Sequence, residues 1–234
     1  ATYDNIRNTI AYKPEVSWNY EAGTHLNLFS GRMHFDLAAF YVQIRNQQLS
    51  VMAGTYGFGR MMTNAGKSFS CGIEASLRGE AADNHLSWML NYGITHAEFK
   101  EYVYNEPQEG TSRMPLDYNG NRVPYIPMHT LGGMADYRFD LQGAMRSLTI
   151  GANFSAQGST YWDEANLHKQ KFYAVVGTHA DADFGLCKLS LWARNLTNTR
   201  YNTFAVSTSA TGPELYFAQR GNPIQCGVDL KFHF

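Results

Sequence analysis

The stretch YWDEANLHK, Tyr161 to Lys169, brings Asp163, Glu164 and His168 within six residues of one another. Two carboxylates and an imidazole at that spacing can ligate a metal or share a proton, provided a loop folds them onto one point. A solvated loop is the simpler reading, since no GxSxG, HExxH or phosphate-loop pattern accompanies them. The other histidines are scattered. His25, His34, His179 and His233 fall on the polar phase of alternating runs, and His85 falls in a short turn. His129 lies near the start of a run, and His96 shares the apolar phase of Ile94. Cys71, Cys187 and Cys226 form no CxxC pair, and each sits on an apolar phase as a small hydrophobe. No metal and no cofactor is expected. A hydrolase would have to rest on His168 or His96 and ranks behind binding.

Binding has better material. Arg and Tyr recur between the patterned runs, and a planar cation beside a phenol suits an anionic, partly aromatic ligand. The candidates are Tyr56 and Arg60 in 47–66, Arg113, Tyr118 and Arg122 in 102–127, Trp162 and His168 in 161–170, and Tyr216 and Arg220 in 199–220. Recognition residues concentrate on loops that a rigid scaffold holds in place.

That scaffold is written in the alternation. In VSWNYEAGTHLNL, Val16, Trp18, Tyr20, Ala22, Leu26 and Leu28 oppose Ser17, Asn19, Glu21, Gly23, His25 and Asn27. SFSCGIEASLRGE, LSWMLNYGIT, LTIGANFSAQGS and the final QCGVDLKFHF repeat the pattern, with similar runs near 33–46, 128–139, 171–183 and 187–195. About nine strands result, and no segment shows a helical period. The runs hold about 10–14 residues, longer than the 5–6 of soluble strands and sufficient for a tilted membrane crossing. Short connections at 30–32, 81–85, 140–147 and 183–186 alternate with the long ones carrying the Arg and Tyr candidates. Short turns on one rim and long loops on the other are the pattern of a transmembrane β-barrel. In a bilayer every backbone polar group must find a protein partner, so a sheet spans only as a barrel, oily outside and wet or filled inside. Trp18, Trp88, Tyr41, Tyr92 and Phe99 are expected in aromatic girdles, and Phe234 in the barrel wall.

The totals agree. Charged residues are 17% and aromatics 14%, and 19 Lys+Arg against 20 Asp+Glu leave a net charge of −1. Nothing in that balance suits nucleic acid. No run approaches 18 apolar residues, so no transmembrane helix is expected.

Four segments also resemble a known family. YKPEVSWNYEAGTHLNLFSGRMHFDLAAFYVQIRNQ, Tyr12 to Gln47, is similar to the kPE…nyElG…Fy segment of TonB-dependent outer-membrane receptors. NAGKSFSCGIEASL resembles their naG-x-s-x-G-x-E strand, WARNLTNTRYNTF their NLfn-x-rY strand, and RGNPIQCGVDLKFHF their closing strand. The resemblance implies a barrel of 22 strands filled by an N-terminal plug, with residues 1–234 supplying roughly the last nine. It implies an outer-membrane receptor importing a scarce nutrient such as a ferric siderophore. Its partners would be outer-membrane lipid, the plug and earlier strands, TonB acting through a preceding segment, and in some receptors a surface lipoprotein. The terminal Phe234 would serve as an insertion signal. Haem receptors of the family carry a loop histidine before the KPE segment, and residues 1–15 hold none. The alternative is a self-contained barrel of about ten strands, with NTIAYK as the tenth, acting as an adhesin or porin.

Overall fold

A computed structural model describes residues 12–52, 60–105, 115–208 and 215–233. In chain order the strands are β1 (Val16–Leu28), β2 (Met33–Met52), β3 (Arg60–Ala81), β4 (Leu86–Glu101), β5 (Val103–Asn105), β6 (Pro115–Asp117), β7 (His129–Asp140), β8 (Ser147–Gln157), β9 (Thr160–Tyr161), β10 (Lys169–Gln170), β11 (Tyr173–Asp183), β12 (Cys187–Arg194), β13 (Asn202–Thr208), β14 (Leu215–Arg220) and β15 (Gln225–Phe232). Nine of them form one antiparallel sheet in the order β1-β2-β3-β4-β7-β8-β11-β12-β15, and three short pairs stand apart from it. The nine expected strands are therefore present, each hydrogen-bonded to its sequence neighbour in the wall.

Register carries the two-sidedness across the whole sheet. One cross-strand row runs Leu26, Phe35, Leu77, Leu90, Gly133, Phe154 and Val176. On the far strands Leu189 pairs Leu230, Leu191 pairs Val228 and Ala193 pairs Cys226, all on this same phase. The opposite phase carries His25 with Asp36, Glu74, Arg78, Asn91, Asp136, Asn153, His179 and Asp229. A soluble single-layer sheet would hide its oily side, yet on interior strands Ile73 is 48% exposed, Ile150 47% and Leu90 42%. A face this apolar and this open needs lipid against it. The polar face lines a cavity of about 800 Å³ reaching from Glu21 and His25 past Glu74 and Asn91 to Gln157 and Tyr173, so the sheet is concave towards its polar side.

The short turns lie at one rim. Residues 29–31 make a single 3-10 turn with Phe29, Ser30 and Gly31 all at positive φ, and Ala82, Asp83 and Asn84 in the turn between β3 and β4 also have positive φ. Gly185, at φ 85, closes the turn from β11 to β12, where only glycine adopts that conformation without strain.

Three expectations change. The segment 47–66 is no long loop, because β2 continues to Met52 and β3 starts at Arg60, paired from Met52↔Arg60 inward. Backbone ladders do not need the apolar alternation, which lapses once both faces are wet. Phe99 is not a girdle residue. It lies on the polar phase opposite Ser68, fully buried among Ala97, Tyr102 and Val123. Tyr92 does face outward, but from mid-strand, with its hydroxyl 2.9 Å from His129 Nδ1.

Candidate ligand-binding rim

The described parts of the long connections are tied to the wall and to one another. After β4 and the β5–β6 pair, residues 118–128 run back along the upper half of β4. Phe99 N–H donates to Asn121 O at 2.9 Å, Val123 N–H to Ala97 O at 3.2 Å, and Thr95 N–H to Met128 O at 2.9 Å. The connection from β8 to β11 then locks onto it. Asn121 Nδ2 donates to Glu164 O at 2.8 Å, and Asn166 clasps the backbone of Arg122 from both sides, at 2.7 and 3.0 Å. Tyr125 donates its backbone N–H to Tyr161 O and its hydroxyl to Ala205 O. Its ring stacks on Phe204 at 5.8 Å and leans on Trp162 at 5.6 Å, joining all three connections. Tyr125 sits at φ 64, a strained conformation for a bulky residue that this packing holds in place.

The family-like motifs are the fasteners beneath this layer. Asn64 of the NAG segment accepts from Lys13 N at 2.7 Å and donates to Lys13 O at 3.1 Å, while Glu15 accepts from Gln48 N at 2.8 Å. Asn195 of the NL segment, only 2% exposed, bonds Thr199 N, Thr199 O and Asn222 O at 2.9–3.0 Å. Tyr201 lies flat on Tyr173 at 4.3 Å and covers Gly221, where a Cβ would meet the ring at 2.1 Å.

The predicted site residues fall into three groups. Tyr56 and Arg113 lie outside the described residues, as does Phe234, and of Arg60 only the backbone, at the start of β3, is described. Tyr118, Arg122 and Trp162 have structural partners. The Tyr118 ring packs on Tyr102 at 5.2 Å, and Arg122 reaches His96 Nδ1 and donates to Thr95 O. Trp162 is 8% exposed, and its indole N–H finds no hydrogen-bond partner among the described residues. His168, Tyr216 and Arg220 remain on the surface of the layer. His168 stacks on Tyr216 at 4.9 Å, and Arg220 is exposed at the end of β14. Burial and the Asp163 charge hold the Tyr216 phenol above its ordinary range, against a lowering hydrogen bond from Asn202. It therefore presents a neutral hydroxyl at pH 7.

Asp163 is a turn organiser. Its carboxylate accepts from Leu167 N at 2.9 Å, His168 N at 2.7 Å and His168 Nδ1 at 3.0 Å. Sequence reading missed Asn121, Asn166, Gln170 and Phe204, whose partners lie about 32 to 44 residues away or across the layer. Asn166 alone left a local signal, an asparagine at a turn, and it does sit at φ 57.

A nine-stranded antiparallel wall with one apolar, lipid-ready face, short turns below and interlocked connections above defines part of a membrane β-barrel. Residues 1–196 match the model of the family "TonB dependent receptor-like, beta-barrel", and the chain belongs to that family. It is 27% identical over 195 residues to the pesticin receptor of Yersinia enterocolitica, covering 81% of this chain and 25% of that protein. Over 75 residues it is 35% identical to the ferrichrome outer membrane transporter/phage receptor of Escherichia coli strain K12, covering 32% of this chain and 10% of that one. The chain thus spans about a quarter of the pesticin receptor's length. Two solved structures share the fold. They are the ferric yersiniabactin uptake receptor FyuA from Yersinia pestis, with a TM-score of 0.74 at 23% identity, and the siderophore receptor PiuA from Acinetobacter baumannii, with 0.69 at 21%. The chain covers 30% and 28% of those structures, which cover 94% and 92% of it.

Proposed function

We propose that this chain forms the wall and outer connections of an active-transport receptor for a ferric siderophore or a similarly scarce chelate. The family match over residues 1–196 carries this reading, and relatives named for ferrichrome, yersiniabactin and pesticin support it. The wall edges β1 and β15 do not pair with each other, and each offers an open ladder to further strands. A plug would occupy the concave polar face, and TonB would pull on that plug from the short-turn side. Ligand recognition falls to the outer connections, with His168, Tyr216 and Arg220 in contact and Tyr118, Arg122 and Trp162 holding the layer beneath. Tyr56, Arg60 and Arg113, candidates from the sequence alone, would act with them.

Growth of an iron-starved strain on defined ferric siderophores, with and without the receptor gene, tests the activity. Loss of uptake of at least one ferric chelate, dependent on TonB, is the expected outcome. Unchanged uptake of every chelate, with the receptor present and folded, would overturn it. At the site level, Arg220→Ala with Tyr216→Phe should weaken binding of that chelate about thirtyfold to two-thousandfold, as for loss of a charge-assisted and a neutral hydrogen bond.

A further inference from the structure

The outer layer carries a sharp conformational demand at Tyr125, in the stretch VPYIP from Val123 to Pro127. A bulky side chain rarely accepts a φ of 64, and the flanking Pro124 and Pro127 narrow the choices further. Such a conformation persists only where the surroundings hold it, and ligand clamps are among the places that use it. What holds it here comes from two other connections. In 158–172, Tyr161 O accepts from the Tyr125 backbone N–H at 2.9 Å, and the Tyr125 ring leans on Trp162. In the hairpin β13–β14 the Phe204 ring lies nearly parallel to it, 9° between planes, and Ala205 O accepts from its hydroxyl at 3.2 Å. Of the hairpin residues whose burial is described, Ala205 alone is fully buried.

The contact residues hang on the same two segments. Trp162 N–H donates to His168 O at 2.9 Å, so the indole and the imidazole leave one short turn together. The His168 ring stacks on Tyr216 of β14. Gln170 Oε1 accepts from Asn202 N at 2.9 Å, and Asn202 pairs across the hairpin with Arg220. His168 therefore belongs to the connection 158–172, while Tyr216 and Arg220 belong to the hairpin. Tyr125 stands outside that set and grips both of its halves from a third connection.

We propose that Tyr125 is a positioning residue of the recognition rim. Its ring and hydroxyl fasten the hairpin to the 158–172 connection, and so fix the spacing of His168 from Arg220. A chelate then meets a preformed surface, and binding does not have to order two separate segments first. The role in recognition rests on the transport reading above, whereas the fastening itself is measurable with no chelate present.

The test uses the full receptor in detergent, freed of native cysteines and spin-labelled at positions 167 and 217. Leu167 and Phe217 are exposed, one on each segment, and double electron–electron resonance reads their separation. Tyr125→Gly deletes the ring and hydroxyl yet suits the positive φ, so the backbone keeps its path. The wild-type distance distribution should be narrow, and Tyr125→Gly should broaden it about twofold. Tyr125→Phe should stay narrow, because both ring contacts survive. Amide exchange in β13 and β14 should rise about fivefold to a hundredfold in Tyr125→Gly, as for two lost aromatic contacts. Phe139→Ala, at the short-turn end of β7, removes packing far from the rim and should change neither readout. Should Tyr125→Gly fail to fold, Phe204→Ala removes the hairpin's half of the stack and should broaden the distribution likewise. An unchanged distribution in either folded variant, or equal broadening in Phe139→Ala, would overturn the proposal. Ferric yersiniabactin and ferrichrome are then added to the same samples. A chelate that binds the wild type should bind Tyr125→Gly about fivefold to a hundredfold more weakly, and equal affinity would overturn the role in recognition. Binding of neither by the wild type would count against the transport reading and leave the label distances to decide the fastening.

Discussion

Leu90 offers a sharp test of which face meets lipid. It lies on β4 between Leu77 of β3 and Gly133 of β7, and it is 42% exposed on the apolar side. Four residues above Leu86, it stands about 14 Å along the strand, or about 10 Å in height at a tilt of about 40°. An apolar band about 25 Å tall puts its midplane about 12 Å up, so Leu90 is close to it. Arginine there should cost about 2–4 kcal/mol, a drop of about 30- to 700-fold in the folding equilibrium. Asn91, one residue on, faces the concave cavity. Asn91→Arg, which faces water or the plug and not lipid, should cost clearly less than arginine at position 90. The assay is guanidinium unfolding of the full receptor in lipid vesicles, followed by tryptophan fluorescence. Equal effects at the two positions, or a larger one at Asn91, would refute the assignment of faces.

Other consequences concern the rim. Asn195→Ala removes the partner of Thr199 N and of two carbonyls in a nearly closed site, and should cost about 1–3 kcal/mol in the same unfolding assay. Gly221→Ala places a methyl group into the Tyr201 ring and should cost about 1–3 kcal/mol while unstacking Tyr201 from Tyr173, visible as a change in near-ultraviolet circular dichroism. The Tyr216 phenol has its folded pKa raised above its unfolded value near 10. Its contribution to stability is complete below pH 10 and fades as pH climbs through the higher folded value. Phenolate absorbance at 295 nm, compared between wild type and Tyr216→Phe, should show this one tyrosine ionising later than a free tyrosine.

Much of the wall was legible because a bilayer enforces it. Each strand from β1 to β15 in the sheet keeps one phase for lipid, so Leu77, Leu90 and Leu191 announce their side from sequence alone. Where that pressure ends, the signal ends too. Beyond Arg45 and before Lys67 the ladder continues to Met52 and Arg60 although the residues no longer alternate. Phe99 lies near a strand end, where a girdle is expected, but on the wrong phase for one. The phase, shared with Ala97, points it inward to Tyr102. The rim was legible only as a composition of Arg, Tyr and His. Which of them carry structure depends on partners far along the chain, as when Asn166 holds Arg122 and Tyr125 reaches Ala205. The motif residues Asn64 and Asn195 looked like family signatures and prove to be hydrogen-bond clasps between neighbouring segments.

Spin-label accessibility along β4 addresses the wall itself. Nitroxides placed singly at positions 88 to 94 of a full receptor freed of Cys71, Cys187 and Cys226 would be read in vesicles. Membrane-dissolved oxygen should collide freely at Trp88, Leu90, Tyr92 and Ile94 and rarely at Met89, Asn91 and Gly93, a period of two residues. Oxygen access that is uniform along the seven positions, or low at all of them as in a core packed on both sides, would contradict a lipid-facing barrel wall.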